Sequence, residues 1–302
     1  MRMLRFESLV VFLLLPGWVL GQPDEPIRVD VNAVNILVSV MDKNGRFVTD
    51  LPRERFEVFD RGKKQEITNF EHEANLPLDI GLLIDTSASV RTQLDFEKQA
   101  ARNFIFTVMR RQDRALLVEF DSGIQMISDF TSQPSRIAQQ LEGLRAGGGT
   151  KLLDAVYAVC SQKMNEGQTR KTIVLVSDGA DVDSSYSAEQ TIEMAHRSRV
   201  IVYAIGTSRF SAAGNRRGEE ILLGLAEKTG GRAFFPHSPD LLQSAFQMID
   251  EELRSQYSIT FVPQAQSSGN RFRKLRVKLL KGKNHLLRYR NGYYPAANQT
   301  GG

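Results

Sequence analysis

The stretch Leu78-Asp79-Ile80-Gly81-Leu82-Leu83-Ile84 runs directly into Asp85-Thr86-Ser87-Ala88-Ser89. An apolar run of this length reads as a strand buried on both faces, as in a parallel sheet. It stops at a carboxylate and then presents two hydroxyls at alternate positions, D-x-S-x-S. Phe96, Ala100, Phe104 and Val108 follow at spacings of four and predict a helix over 89–109. A strand that ends in an acid and hands over to a helix places polar side chains at the carboxyl edge of a sheet, where α/β folds bind ligands. Short oxygen side chains crowded there suit a hard cation such as Mg²⁺.

Outward from this stretch the pattern alternates. Strands are expected at 78–84, 115–120, 124–128, 172–176, 200–205 and 231–235. Helices are expected between them, at 89–109, 134–144, 152–164, 187–197, 219–228 and 239–254. Such alternation gives an α/β fold, a doubly wound, mostly parallel sheet with helices on both faces. The 124–128 strand follows Phe120-Asp121-Ser122-Gly123 too closely for a crossover, so it pairs as a hairpin at an antiparallel edge.

The flanks read differently. Before residue 76, Val29-Asp30-Val31, 36–40, 56–60 and 66–70 look like short strands, with Asp42-Lys43-Asn44-Gly45 a turn. After residue 252, 257–262, 275–279 and 286–290 alternate again. Neither set can bury a core alone. The economical solution is one small β-sandwich, formed by N- and C-terminal strands, into which the α/β domain is inserted. The expected organisation is 1–21 a signal peptide, 22–75 and 253–295 the two halves of the sandwich, 76–252 the α/β domain, and 296–302 a disordered tail.

The first residues resemble an export signal: Arg2 and Arg5, an apolar run at 9–15, and Val19-Leu20-Gly21 as a small-residue cleavage site. An uncleaved anchor is the alternative, although Pro16-Gly17 breaks a run already short for a bilayer. No later stretch could cross a membrane. The mature protein is therefore expected outside the cytoplasm, whether periplasmic, surface-bound or secreted. Cys160 is the only cysteine among 302 residues, which excludes an intrachain disulfide and a cysteine-based zinc cluster. Its place beside Leu153, Val156 and Tyr157 reads as core. The formal charge of +4 hides an asymmetry, since from Leu253 onward there are ten Lys and Arg and no Asp or Glu. That basic end has two readings: a contact to an anionic envelope surface, or a solvated strand face attracted to the acidic remainder.

Three features fall where a metal would need them. Gly147-Gly148-Gly149-Thr150 is a flexible loop ending in a hydroxyl. Ser177-Asp178-Gly179 puts a second carboxylate at a strand end, and Asp181 and Asp183 lie just beyond. Asp85, Ser87, Ser89, Thr150 and Asp178 thus come from three loops on one sheet edge. D-x-S-x-S alone is ambiguous, because Asp and Ser also cap helices and make turns. Asp121, Asp181 and Asp183 either line a partner-binding rim or are solvated loop acids. Asp154 fits the opening turn of its helix, where the dipole favours a carboxylate.

These residues match the metal-ion-dependent adhesion site (MIDAS) of von Willebrand factor type A domains, and residues 76–252 resemble that Rossmann-like family. F-x-V-x-D-x-G-K-x-Q at 56–65, R-S-Q-Y-x-I at 254–259 and Gly292-Tyr293-Tyr294-Pro295 resemble its exported bacterial members. The resemblance implies direct contact of Ser87, Ser89 and Thr150 with Mg²⁺ or Mn²⁺. It implies that Asp85 and Asp178 act through water, and that a carboxylate from a protein partner fills the open position. It also implies a last helix, 239–254, able to couple the site to the strand after it.

The residues argue against an enzyme. A serine nucleophile needs a histidine in reach, and His72, His196, His237 and His285 all lie outside the three loops. There is no H-E-x-x-H and no G-x-S-x-G. Gly143 to Lys151 misses the phosphate-loop spacing. The basic end has few aromatics to stack on bases, so no nucleic acid is expected. The expected function is metal-dependent protein binding in adhesion. The alternatives are a structural component of an envelope complex, with the ion holding the loops, and a metal-dependent hydrolase.

Overall fold

A computed structural model describes residues 33–72, 76–165, 167, 169–208, 215–263, 271–282 and 284–295. The expected signal peptide, the strand at 29–31 and the tail after 295 lie outside them. The first elements among the described residues are β1 (Val34–Asp42), β2 (Phe56–Asp60), β3 (Lys63–Gln65) and β4 (Ile67–His72). The α/β part follows as β5 (Leu78–Asp85), α1 (Leu94–Val108), β6 (Arg114–Phe120), β7 (Ile124–Thr131), α2 (Pro134–Gly143) and α3 (Leu152–Gln162). It continues through β8 (Arg170–Ser177), α4 (Ala188–Arg197), β9 (Val200–Gly206), α5 (Arg216–Thr229), β10 (Ala233–Phe234) and α6 (Pro239–Arg254). Strands β11 (Tyr257–Phe261), β12 (Arg273–Leu279), β13 (His285–Arg288) and β14 (Gly292–Tyr293) close it.

The central sheet has the order β10-β9-β8-β5-β6-β7. Every neighbouring pair is parallel except β6 and β7, the hairpin edge expected from the short turn. All residues of β5, β8 and β9 are buried, which explains their unbroken apolar composition. Helices α1, α2 and α6 cover one face, with Phe104 and Phe246 in ring contact at 5.0 Å. Helices α3, α4 and α5 cover the other, and Cys160 is buried there.

Helix α1 corrects the expected pattern. It starts at Leu94, after a 3-10 turn at Ala88–Val90, rather than at Ser89. Phe96, taken as the first core position, is 48% exposed, while Glu97 beside it is fully buried. The buried stripe runs through Leu94, Glu97, Ala101, Phe104, Ile105 and Val108.

The flanking strands build two antiparallel sheets, β13-β1-β11-β4 and β14-β12-β2-β3, each mixing strands from both ends of the chain. Val34, Ile36, Val38, Phe56, Val58, Ile259, Phe261, Leu275 and Val277 share one core between them. The Tyr257 hydroxyl is satisfied twice, donating to the Val48 carbonyl at 2.8 Å and accepting from Leu51 N at 3.0 Å. The basic end does not form one surface. Arg273 is buried against Asp60 at 3.2 Å, Arg254 pairs with Asp113 at 2.6 Å, and Arg290 is buried. Lys274, Arg276 and Lys278 keep the exposed face of β12, the last two over the Phe59 ring.

Candidate functional site

The carboxyl ends of β5 and β8 are neighbours in the sheet, so Asp85 and Ser177 close adjacent strands. Asp85 is wholly buried. Its Oδ1 accepts from Ser87 N at 2.8 Å and its Oδ2 from the Ser177 hydroxyl at 2.5 Å. The first bond folds the loop so that Ser87 and Ser89 turn the same way, their Oγ atoms 3.0 Å apart. Ser87 is buried and Ser89 exposed, a gradient from sheet to solvent.

Backbone bonds zip three loops together. Gly147 N donates to Thr86 O at 2.7 Å and Ala88 N to Gly148 O at 3.2 Å. Val182 N and Asp183 N both donate to Thr150 O, at 3.1 and 3.2 Å. Thr150, 2% exposed, therefore sits between the D-x-S-x-S loop and the loop after Asp178. Asp178 is half-buried, and its Oδ1 accepts from Ala180 N at 2.8 Å. Gly179, with φ +81°, lies so close to Gly218 that an added Cβ would stand 2.5 Å from the Gly218 carbonyl carbon. The start of α5 thus supports the Asp178 loop from behind.

The other acids divide. Asp121 and Asp183 lie against Gly148 and Gly149, whose added Cβ atoms would approach Asp121 Oδ2 at 2.8 Å and Asp183 Oδ2 at 2.5 Å. Both belong to the rim of the loop cluster. Asp181 instead turns inward, its Oδ1 accepting from the Ser184 hydroxyl at 2.6 Å and Leu153 N at 3.3 Å. Asp154 is more than a dipole partner, because its Oδ1 accepts from Ser185 N and Tyr186 N at 2.8 and 2.9 Å. Four side chains outside the expected set therefore organise the loops: Ser177, Ser184, Asp154 and Ser122, whose Oγ accepts from Gly149 N at 2.6 Å. The signal for Ser177 was adjacent, in S-D-G itself.

The electrostatics favour a cation. Burial pushes the Asp85 carboxyl up to about 6 despite the bonds from Ser177 and Ser87, and nearby Asp178 adds to the rise. Glu97, beneath the same edge, is pushed up to about 8, first by burial and further by Asp85 and Asp178. The Thr207 hydroxyl offsets part of that rise. Neither Glu97 oxygen reaches hydrogen-bonding geometry with a partner among the described residues. Glu97, raised so far, holds a proton at neutral pH, so the negative charge at this edge comes from the Asp85 and Asp178 carboxylates, which a bound cation would relieve. The donor set, hydroxyls with a minority of carboxylates, fits a small hard ion that keeps waters. His196 lies at the far end of the sheet, and His72 and His237 are exposed.

The von Willebrand factor type A domain model matches residues 79–248. Among solved structures, proximal thread matrix protein 1 from the mussel byssus, in a form with a zinc-occupied MIDAS motif, aligns with a TM-score of 0.53 at 14% identity. That alignment covers 64% of this chain and 49% of that one. Another structure of the byssus protein gives 0.51 at 12% identity, over 72% and 50%. The vWF domain of the type V pili tip protein Mfa5 from Porphyromonas gingivalis gives 0.49 at 15% identity, over 58% and 94%. The chain matches about half the length of the byssus protein, and these likenesses are of fold. No curated protein sequence matches. The family model spans more than half of the chain and coincides with the doubly wound sheet, so the protein belongs to the von Willebrand factor type A domain family.

Proposed function

We propose that this chain is an exported protein-binding module that holds a divalent cation, Mg²⁺ or Mn²⁺, at Ser87, Ser89, Thr150, Asp85 and Asp178. In this reading Ser87, Ser89 and Thr150 offer neutral oxygens, Asp85 and Asp178 anchor waters, and a partner's Asp or Glu supplies the remaining ligand. The ion supplies a positive charge to which that carboxylate binds. The observation that carries the reading is the Ser87–Ser89 pair, Oγ atoms 3.0 Å apart above the buried Asp85. Two hydroxyls and few carboxylates leave an ion short of negative charge, so it favours an external acid. Asp121 and Asp183 would line the partner's approach, and Asp181 would hold the loop.

The family's members typically serve protein interaction or adhesion rather than catalysis, and the byssus protein with zinc at its MIDAS keeps a transition ion in view as a competitor. The three loops already bond to one another through backbone groups, which favours a binding role over an ion that merely holds them. Export rests on the sequence of residues 1–21; among the described residues no helix is long and apolar enough to cross a membrane.

The test is capture of partners from an envelope extract with Mg²⁺, with chelator, and with the Asp85→Ala and Thr150→Ala variants. Capture lost in the last three conditions is expected. Capture that survives unchanged in both variants contradicts the proposal.

A further inference from the structure

One part of the basic end stays together on the surface. Burial alternates residue by residue along β12, so Lys274, Arg276 and Lys278 all stand on the outer face of the sheet β14-β12-β2-β3. At strand rise each is about 7 Å from the next, and the row extends about 14 Å. Arg61, also exposed, lies beside its first member, its N–H donating to the Lys274 carbonyl at 2.9 Å.

Three observations set this stripe apart from scattered surface lysines. Among the described residues, Arg61, Lys274, Arg276 and Lys278 form no ion pair. The undescribed segments next to these strands in sequence, 264–270, 283 and 296–302, contain no Asp or Glu. The cations in the middle are also held in place. Phe59 stands opposite Arg276 in the β2–β12 ladder, and its ring carries the Arg276 guanidinium at 4.8 Å and the Lys278 ammonium at 5.0 Å. Two long side chains ordered in advance lower the cost of binding. Lastly, the nearby acids lie off the stripe. Glu57, opposite Lys278, is taken by Lys64 at 2.7 Å, and Glu54 and Glu66 share with it a groove at the Leu280 end.

We propose that this face binds a linear acidic polysaccharide, laid along β12 with its carboxylate or sulfate groups beside Lys274, Arg276 and Lys278. The stripe is one strand wide, and acids stand at its Leu280 end. That shape suits an extended chain with repeated anions, whereas a plane of anionic headgroups would press on Glu54 and Glu66 as well. Phe59 is capped by its two cations, so the middle of the stripe offers no open ring for bases to stack on, which disfavours nucleic acid. The face uses none of the residues of the loop cluster, so it stands independently of any ion bound there.

The test is binding of the full chain to immobilised dextran sulfate, polygalacturonate and neutral dextran, in chelator and over a range of salt. It is repeated with Lys274→Gln and Arg276→Gln, and with Lys43→Gln and Arg136→Gln, which remove exposed cations elsewhere. Saturable binding to an acidic polymer and none to neutral dextran is expected, weakening as salt screens the charges. Each stripe variant should weaken it about fivefold, the effect of one cation at an anionic surface, and the two others should leave it unchanged. Lys274 is exposed and its side chain forms no hydrogen bond or ion pair among the described residues, so its variant keeps the fold even where loss of the Arg276 contact with Phe59 does not. Four results would each overturn the assignment: no binding to either acidic polymer, undiminished binding in Lys274→Gln, equal losses in Lys43→Gln and Arg136→Gln, or tighter, Lys274-dependent binding to phosphatidylglycerol vesicles or single-stranded DNA.

Discussion

The Ser177 hydroxyl donates to Asp85 Oδ2 over 2.5 Å, joining the last residues of two adjacent parallel strands. The same Ser177 oxygen accepts from Gly179 N at 2.9 Å, and Asp85 Oδ1 accepts from Ser87 N. One side-chain pair therefore sets the course of both the D-x-S-x-S loop and the Asp178 loop.

Ser177→Ala removes a buried donor to a carboxylate. A hydrogen bond of this kind contributes about 1–3 kcal/mol, so the melting temperature should fall by several degrees. Divalent-ion binding should weaken as well, because both loops lose a tether. Differential scanning calorimetry with and without Mg²⁺ measures both. A variant with unaltered Tm and affinity would show that the pair does not organise the site.

Glu97 gives a pH dependence. Its folded carboxyl is raised from the ordinary 4.5 to about 8, so the folded state holds a proton that the unfolded state releases. Its contribution is therefore full below about 4.5 and is lost as pH rises through about 8. Glu97→Gln should match the parent at acid pH and exceed it at pH 8 and above in metal-free buffer, by on the order of a few kcal/mol. Urea melts across pH 4 to 9 give the comparison, and parallel curves would remove this role for Glu97.

Gly179 faces the backbone of Gly218, which cannot move aside as a flexible side chain could. Gly179→Ala combines left-handed strain with this contact and should cost more than about 2 kcal/mol. Gly45, also at positive φ but with open space around its Cβ position, isolates the strain alone. Gly45→Ala should cost about 1 kcal/mol. Equal losses in denaturant titrations would mean that the approach of α5 is not tight.

Helix α6 is clamped at its C-terminus. Asp113, wholly buried, accepts from Leu78 N and Arg110 N, both at 2.9 Å, and from Arg254 at 2.6 Å. Arg170 donates to the Leu253 carbonyl and, at 2.5 Å, to Gln256 Oε1. A shift of α6 that carries the state of the loops to β11 has to break these bonds. Asp113→Ala should cost about 3–5 kcal/mol and speed hydrogen exchange over 239–262. Metal plus a carboxylate ligand should alter exchange in the same segment of the parent chain. Equal exchange with and without them would leave α6 a fixed strut.

The fold was legible because its strongest signals are local. Strand β5 announces itself by an unbroken apolar run, and Asp85, Thr150 and Asp178 sit where strands or glycine loops end. What stayed hidden depends on tertiary contacts. Glu97 occupies a core position beside an exposed Phe96, an exchange that helical spacing by fours cannot reveal. Asp181 reads as a rim or loop acid and Asp154 as a helix-opening acid until Ser184, Leu153, Ser185 and Tyr186 are found bonded to them. The basic end reads as one surface, yet Arg254, Arg273 and Arg290 fold inward to three separate places.

The most direct test of the central claim is calorimetric titration of Mg²⁺ and Mn²⁺ into the full chain beside an Asp85→Ala control. The account predicts saturable one-to-one binding to the parent and none to the variant. Binding of equal strength to both, or no saturable binding to the parent, would contradict a cation at Ser87, Ser89 and Thr150.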